Sequence, residues 1–254
     1  MTPSANNKHA IIITGASRGI GAATARLLGA QGYAVAVNFS KNGDAASAVV
    51  RDIAGAGGKA VAIRADVSQE AEIMKLFETS DRELGALDGL VNNAAITGGF
   101  ARVENVSNKA LAEVFAVNVA GSMLCAREAV RRLSTRNGGT GGSIVNISSI
   151  AARTGSAGEW VHYAASKGAI NSFTLGLARE VATQGIRVNA VAPGLVETDL
   201  HADNGAPDRL QRLQCTIPMG RPGSAAEVAE AIAWLISPAA SYVTGSILEV
   251  GGGR

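Results

Sequence analysis

The chain has 254 residues, 47% of them apolar and 4% aromatic, with a formal net charge of +2. That length suits one large α/β domain or two small ones, and the apolar share supports a sizeable core. Acids and bases are dispersed, so there is neither a basic stripe for nucleic acid nor an acidic tail. Cys125 and Cys215 form no C-x-x-C pair and read as free thiols. His9, His162 and His201 are too far apart in sequence to suggest a metal site. The first eight residues are polar and lack a signal core, and no apolar run reaches membrane-spanning length. The expectation is a soluble, cytoplasmic protein with no nucleic-acid or membrane partner.

Residues 10–14 are a β-branched apolar run, read as a buried strand. Gly15, Gly19 and Gly21 follow, then a helical stretch that stops at Gly32. Strands are expected at 34–38, 60–63 and 89–92, separated by helices over 44–54 and through Ile73, Leu76 and Phe77. A long helix is expected over 108–132, with Ser107 as its N-cap. A strand at 143–147, a helix around 162–183 and a strand at 187–191 come next. Residues 193–222 read as polar and irregular, with at most one short helix. A helix through Val228, Ile232 and Leu235 and a strand at 246–250 complete the pattern. Near-strict β/α alternation with short connections argues for one parallel sheet covered by helices on both faces. A long loop after a strand's carboxyl end is where such a sheet binds ligands.

The glycines sit between the first strand and its helix with spacing G-x-x-x-G-x-G. They permit a tight turn and close backbone approach, and the helix N-terminus attracts a pyrophosphate. Some twenty residues on, where an acid would bind the ribose 2′-hydroxyl of NAD, the chain reads Asn38, Phe39, Ser40, Lys41. Lys41, with Arg18 in the glycine turn, suits a 2′-phosphate, so NADP(H) is favoured, with NAD(H) as the alternative. The plainer reading makes Lys41 a solvated surface residue. Asp66, followed by Val67, suits either the adenine amino group or the N-cap of the next helix. Asn92 and Asn93, followed by Ala94 and Ala95, end the fourth strand beside this cleft, with backbone support the expected role of Asn93. Asn118 falls on an apolar helix stripe and needs hydrogen-bond partners there.

Tyr163 and Lys167 are one helical turn apart, on the stripe continued by Ile170, Thr174 and Val181. A lysine on a buried face is costly unless its charge is used. Its cation is expected to lower the pKa of the phenol, making a proton donor that works near neutral pH.

Together these motifs, with the Ile147-Ser148-Ser149 run, Pro193-Gly194 with Thr198, and the closing Tyr242-Val243-Thr244-Gly245, resemble the short-chain dehydrogenase/reductase family nearly end to end. The likeness is to its single-domain members of the 3-oxoacyl reductase and sugar dehydrogenase kind. It implies a three-layer Rossmann fold of about seven strands, one domain over 1–254, and a substrate loop around 195–215. It also implies a tetrad of Asn118, Ser149, Tyr163 and Lys167. In it Tyr163 is general acid in reduction and base in oxidation, and Ser149 binds the substrate oxygen. Lys167 holds the nicotinamide ribose, and Asn118 holds a relay water. Cofactor contacts are implied for Gly15, Ser17, Arg18, Gly19, Ile20, Gly21, Asn38, Ser40, Lys41, Asp66, Val67, Asn92, Ala94, Pro193, Gly194, Val196 and Thr198, besides Tyr163 and Lys167. The partner implied is a small carbonyl or secondary alcohol, and the assembly a homotetramer; a non-catalytic NADP(H)-binding regulator is the alternative. Two features depart from the family pattern. Ala95 stands where glycine is usual, and Ser149 lies fourteen residues before Tyr163, which leaves Ser148 as the rival serine. Glu159, Trp160 and His162 either pack the intervening loop or shape the substrate pocket.

Overall fold

The computed structural model describes residues 9–198 and 205–254. Residues 1–8, His201 and part of the loop 195–215 lie outside the described residues. The strands are β1 (Ala10–Ile13), β2 (Ala34–Phe39), β3 (Lys59–Arg64), β4 (Leu87–Asn92), β5 (Gly142–Ile147), β6 (Ile186–Pro193), β7 (Val196–Glu197), β8 (Gly223–Ser224) and β9 (Ile247–Val250). The helices are α1 (Gly19–Ala30), α2 (Gly43–Gly55), α3 (Glu70–Leu84), α4 (Asn108–Phe115), α5 (Ser122–Leu133), α6 (Ala151–Thr154), α7 (Val161–Val181), α8 (Arg209–Leu213) and α9 (Ala225–Ile236). Seven strands form one parallel sheet in the order β3-β2-β1-β4-β5-β6-β9, and β7 pairs with β8 apart from it.

Side chains alternate across the sheet, and both sets are buried. Ile12, Ala36, Leu90, Ile144 and Val188 pack beneath α3, α5 and α7, against Leu76, Phe77, Ala129 and Val181. Ile11, Ile13, Val35, Val37, Val91 and Val145 pack under α1, α2 and α9, against Leu28, Val49, Val228 and Ile232. A sheet covered on both faces is what continuous apolar strands require. The chain order reverses around β1, which has β2 on one side and β4 on the other. At such a switch point the loops leave in opposite directions and open a crevice above the strand ends.

Three local features differ from the expectation. The helix expected over 108–132 is broken by a π-helical stretch, Ala116–Gly121, around Asn118. π-Turns of this kind recur at functional sites. The polar stretch after Pro193 holds β7, β8 and α8, and α6 stands where only loop was expected. Within residues 108–133 an 18-residue window reaches a mean hydropathy of 1.4, long and apolar enough by length and composition to cross a membrane. The segment escapes a search for an uninterrupted apolar run because charges punctuate it. One of these, Glu128, is buried and pairs with Arg127, Arg131 and Arg132. Cys125, Ala126 and Leu133 of the same helix pack into the sheet core.

A chain of buried polar groups seats α7 on the sheet. Asn92 Nδ2 donates to Asn146 Oδ1 at 2.9 Å, Asn146 Nδ2 donates to Thr174 Oγ1 at 2.9 Å, and Thr174 Oγ1 donates to the Ile170 carbonyl at 2.8 Å. Replacing the central residue, Asn146→Leu, removes one of the two acceptors of the Asn92 amide and the donor to the Thr174 oxygen, while Asn92 keeps the Ser122 carbonyl and Thr174 keeps the Ile170 carbonyl. We expect a loss of about 1–3 kcal/mol in urea unfolding, the cost of leaving buried hydrogen-bonding capacity unmet. A loss below about 0.5 kcal/mol would mean the chain does not seat the helix.

Candidate active site

The turn after β1 is shaped by contacts only glycine allows. Gly15 has φ +61°, and a Cβ there would lie 2.9 Å from Ala94 Cα. At Gly21 a Cβ would lie 2.5 Å from Asn93 Nδ2. Asn93 Nδ2 donates to the Thr14 and Gly15 carbonyls, both at 2.9 Å, so Asn93 clamps the turn to the end of β4. Thr14 Oγ1 accepts from the Asn93 and Ala94 amides at 2.9 and 3.0 Å. From the β2 side, Asn38 Oδ1 accepts the Gly15 amide at 3.1 Å, while its Nδ2 donates to Ala65 O at 3.0 Å. Helix α1 then starts with no side-chain cap from Arg18 and no acid in its first turn. A phosphate fits that uncapped, positively polarised end.

A cavity of about 1470 Å³ runs from this turn across the strand ends. Gly15, Ser17, Arg18, Gly19, Ile20, Asn38, Ser40, Lys41, Asp66, Val67 and Ala94 line one part of it. Ser149, Tyr163, Lys167, Pro193, Gly194, Val196 and Thr198 line another, and Ala95 adds its methyl to the wall. Thr198 folds back over the glycine turn, where a Cβ on Gly19 would meet its Cγ2 at 3.4 Å. The space, the glycine cradle and the uncapped helix fit a dinucleotide.

Several expected contacts are not brought to the cavity. Gly21 is taken up by close packing on Asn93. Asn92 is buried, with its amide given to the Ser122 carbonyl and to Asn146, so it is a sheet residue. Asn38 reaches the wall, but its side chain serves the turn. Asp66 is not the N-cap of α3, which is Gln69. Its Oδ1 instead accepts the Ser68 amide and hydroxyl at 2.9 and 2.8 Å. Asn118 accepts the Ile96 amide and donates to the Ile96 carbonyl, both at 2.9 Å, and donates to Ser166 Oγ at 3.0 Å. Both its amide hydrogens have protein partners, so the side chain ties the β4 loop to α7 and offers no free donor to a relay water.

Ser149, Tyr163 and Lys167 do converge. Ser149 hydrogen-bonds the Tyr163 phenol, and its Oγ also accepts the Ala151 amide at 3.1 Å. Ser148 is turned away, to Asn171 Oδ1 at 2.6 Å and the Lys167 carbonyl. Lys167 Nζ lies 5.6 Å from the Tyr163 ring centre and donates to the Ile147 carbonyl at the end of β5 at 2.6 Å. Burial pulls this lysine down to about 8. Burial also pushes the phenol up to about 12, against the pull of the Ser149 hydrogen bond and the Arg209 cation. The phenol's net shift is therefore upward, not the lowering expected, because burial outweighs the pull of Ser149 and Arg209.

Trp160 lies edge-on to Tyr163, with ring centres 6.3 Å apart, and Phe100 lies edge-on to Trp160 at 6.3 Å. Trp160 and Glu159 line the cavity; His162 does not, and packs on Gly98 instead. Arg209 and Arg212 of the expected substrate loop, 195–215, line the same wall with Phe100 and Arg254, though the sequence singled out none of the four as site residues. Nothing local marks them, since they come from three distant segments. Among the described residues, no group of three or more His, Cys, Asp or Glu side chains could hold a metal.

Comparison with known proteins places the chain. A family model described as enoyl-(acyl carrier protein) reductase matches residues 15–254. The chain is 51% identical over 243 residues to an uncharacterized oxidoreductase, YgfF, of Escherichia coli K12, covering 96% of this chain and 98% of that one. It is 39% identical to a 3-oxoacyl-[acyl-carrier-protein] reductase of Synechocystis, covering 95% of each. It is 41% identical to a cis-4-hydroxycyclohexanecarboxylate dehydrogenase of Sinomonas cyclohexanicum, covering 95% and 94%. A solved double mutant of a Serratia marcescens short-chain dehydrogenase/reductase superposes with a TM-score of 0.88 at 34% identity, covering 97% of each chain.

The lysine makes a test of the geometry. A base whose pKa is depressed on folding destabilises the fold while protonated. Stability should therefore rise as pH climbs from the folded value, about 8, toward the ordinary 10.5. Between about pH 7.5 and about pH 9.5 the gain from this group is about 2 kcal/mol. The raised phenol acts oppositely only above its ordinary value of 10.0. Urea unfolding across that window should show the gain in the wild type and not in Lys167→Met; equal slopes would place the lysine in contact with solvent.

Proposed function

The chain belongs to the short-chain dehydrogenase/reductase family, and we propose that it is an NADP(H)-dependent enzyme interconverting a carbonyl and a secondary alcohol through Tyr163. The convergence of Ser149 and Lys167 on that phenol, inside a cavity that begins at the glycine turn, carries the reading. When bound, the nicotinamide supplies or accepts the hydride. The rest is the work of this chain. The Gly15–Gly21 turn and the start of α1 hold the pyrophosphate. Arg18, Ser40 and Lys41, with no acid among them, take the ribose 2′-phosphate. Pro193, Gly194, Val196 and Thr198 hold the nicotinamide end.

Ser149 and Tyr163 both address the substrate oxygen, Ser149 by hydrogen bonding and Tyr163 by passing its proton. A phenol held near 12 stays protonated at neutral pH, which is the state reduction needs. Oxidation starts from the phenolate, so its rate rises with pH toward the phenol's raised value. Lys167, whose Nζ lies 5.6 Å from the Tyr163 ring centre, would hold the nicotinamide ribose, and Asn118 positions α7 through Ser166. A non-catalytic sensor of NADP(H) would have no use for this trio.

The same reading carries a soluble, cytoplasmic homotetramer. Leu111 and Phe115 of α4, Met123 of α5 and Leu175 of α7 are exposed apolar residues suited to subunit contact. Light scattering at micromolar concentration should give a mass near four chains; a monomer mass overturns the assembly.

Two further outcomes are expected. Tyr163→Phe should lower kcat for NADPH-dependent ketone reduction by about 10²–10⁴-fold with cofactor binding intact; wild-type turnover would remove Tyr163 from the mechanism. NADPH should bind tighter than NADH by about 10–100-fold, and Lys41→Ala with Arg18→Ala should erase the difference. Tighter NADH would overturn the cofactor choice.

A further inference from the structure

Taking that reductase reading as given, the wall beyond Tyr163 adds a statement about the substrate. Arg209 of α8 is buried, and its guanidinium carbon lies 4.4 Å from the centre of the Trp160 ring. Glu159 Oε2 accepts from Arg209 Nε at 2.9 Å and lies 2.8 Å from its Nη2, while Oε1 accepts from Arg212 Nη1 at 3.3 Å. Arg254 lines the same cavity and feels both the Arg209 cation and the Glu159 carboxylate. Two guanidiniums thus share one largely buried carboxylate, and a third, Arg254, stands in the same wall.

Other acids do little to offset them. Asp208 lies 3.5 Å from Arg212 but is exposed and is not part of the cavity wall. Asp66 is committed to Ser68, and Glu113 is half-exposed beside Lys109. Glu249, near Arg254, is matched by Arg153 at 3.0 Å. Three guanidiniums against Glu159 and the exposed Asp208 leave a positive excess at the wall of this open cleft, a place for an anion. Guanidiniums are suited to receive one, because their forked donors match carboxylate and phosphate oxygens.

The placement sets the rest of the ligand. Arg209 and Tyr163 both lie against the Trp160 ring, the guanidinium carbon 4.4 Å and the phenol ring centre 6.3 Å from its centre, so an anion at Arg209 and a carbonyl at the phenol fit within one small molecule. Between them Trp160 and Phe100 offer apolar surface.

We infer that the substrate is a carbonyl compound with a short apolar body that ends in an oxyanion, a carboxylate or a phosphate, received by Arg209, Arg212 and Arg254. Glu159 acts as a positioning residue that holds two of the arginines at the wall.

The test compares matched ligands on the full chain saturated with NADP(H): 4-oxocyclohexanecarboxylate, its neutral amide, and 4-oxocyclohexyl phosphate, with the straight-chain keto acids and their amides. Calorimetric binding and steady-state reduction are both read. One of the two anion types should bind at least about tenfold tighter than the neutral match, and which one does so identifies the oxyanion. Arg254→Gln and Arg212→Gln, chosen because Arg209 is buried and its loss endangers folding, should each shrink the preference at least about threefold, through KM and not kcat. A merely structural role for these arginines would lower the melting temperature and leave the ratio alone. Amides that bind as tightly as both anions, or a preference untouched in both variants, overturn the inference. The two readings fail separately. Anion-selective binding with no turnover keeps this inference and sinks the reductase, whereas equal turnover of acid and amide does the reverse.

Discussion

A buried ammonium beneath a buried phenol is the constraint around which the molecule is built. Lys167 is 3% exposed and Tyr163 8%, and neither would stay there without partners in fixed places. The lysine finds the carbonyl of Ile147 because β5 ends beneath α7. That register is secured by the Asn92–Asn146–Thr174 chain, which crosses two strands and a helix in the core. The β4 loop is tied to the same helix through Asn118 and Ser166. Much of the polar chemistry inside the sheet therefore serves to hold one turn of α7 against one strand end.

Charge is arranged along the cavity in a way a net charge of +2 conceals. Arg18 and Lys41 stand at the glycine end, and Arg209, Arg212 and Arg254 at the mouth. Between them lies the uncharged surface of Ala94, Ala95 and Ile147, with the reacting phenol set against Trp160. With the Lys167 ammonium buried beneath the phenol between them, the two cationic ends fit two anionic groups, one on the cofactor and one on the substrate. The burial that raises the phenol keeps it protonated for donation.

Much of the fold was legible because it is written locally. The continuous apolar run of Ile11, Ile12 and Ile13, glycines at Gly15, Gly19 and Gly21, and β/α alternation each follow from nearby residues, and the seven-stranded parallel sheet matches them. Tyr163 and Lys167 were legible because four-residue spacing on a helix fixes their proximity. What was not legible depends on distant segments. Asn92 looked like a cleft residue from its place at a strand end, but its side-chain direction sends it into the core. The sign of the phenol's shift depended on how much protein closes over it, which spacing does not report. Arg209 and Arg254 reach Glu159 and Trp160 across the fold, and no periodicity announces such a meeting. The π-turn at Asn118 breaks a pattern that reads as one helix.

The central claim is that this site moves a hydride to a carbonyl carbon while Tyr163 supplies the proton. The most direct measurement is to reduce a ketone or keto acid with NADPH deuterated at the transferring position and to weigh the alcohol. The account predicts one deuterium on the carbinol carbon per cofactor oxidised. Cofactor that binds tightly but leaves no label in the product of any carbonyl tried would contradict it.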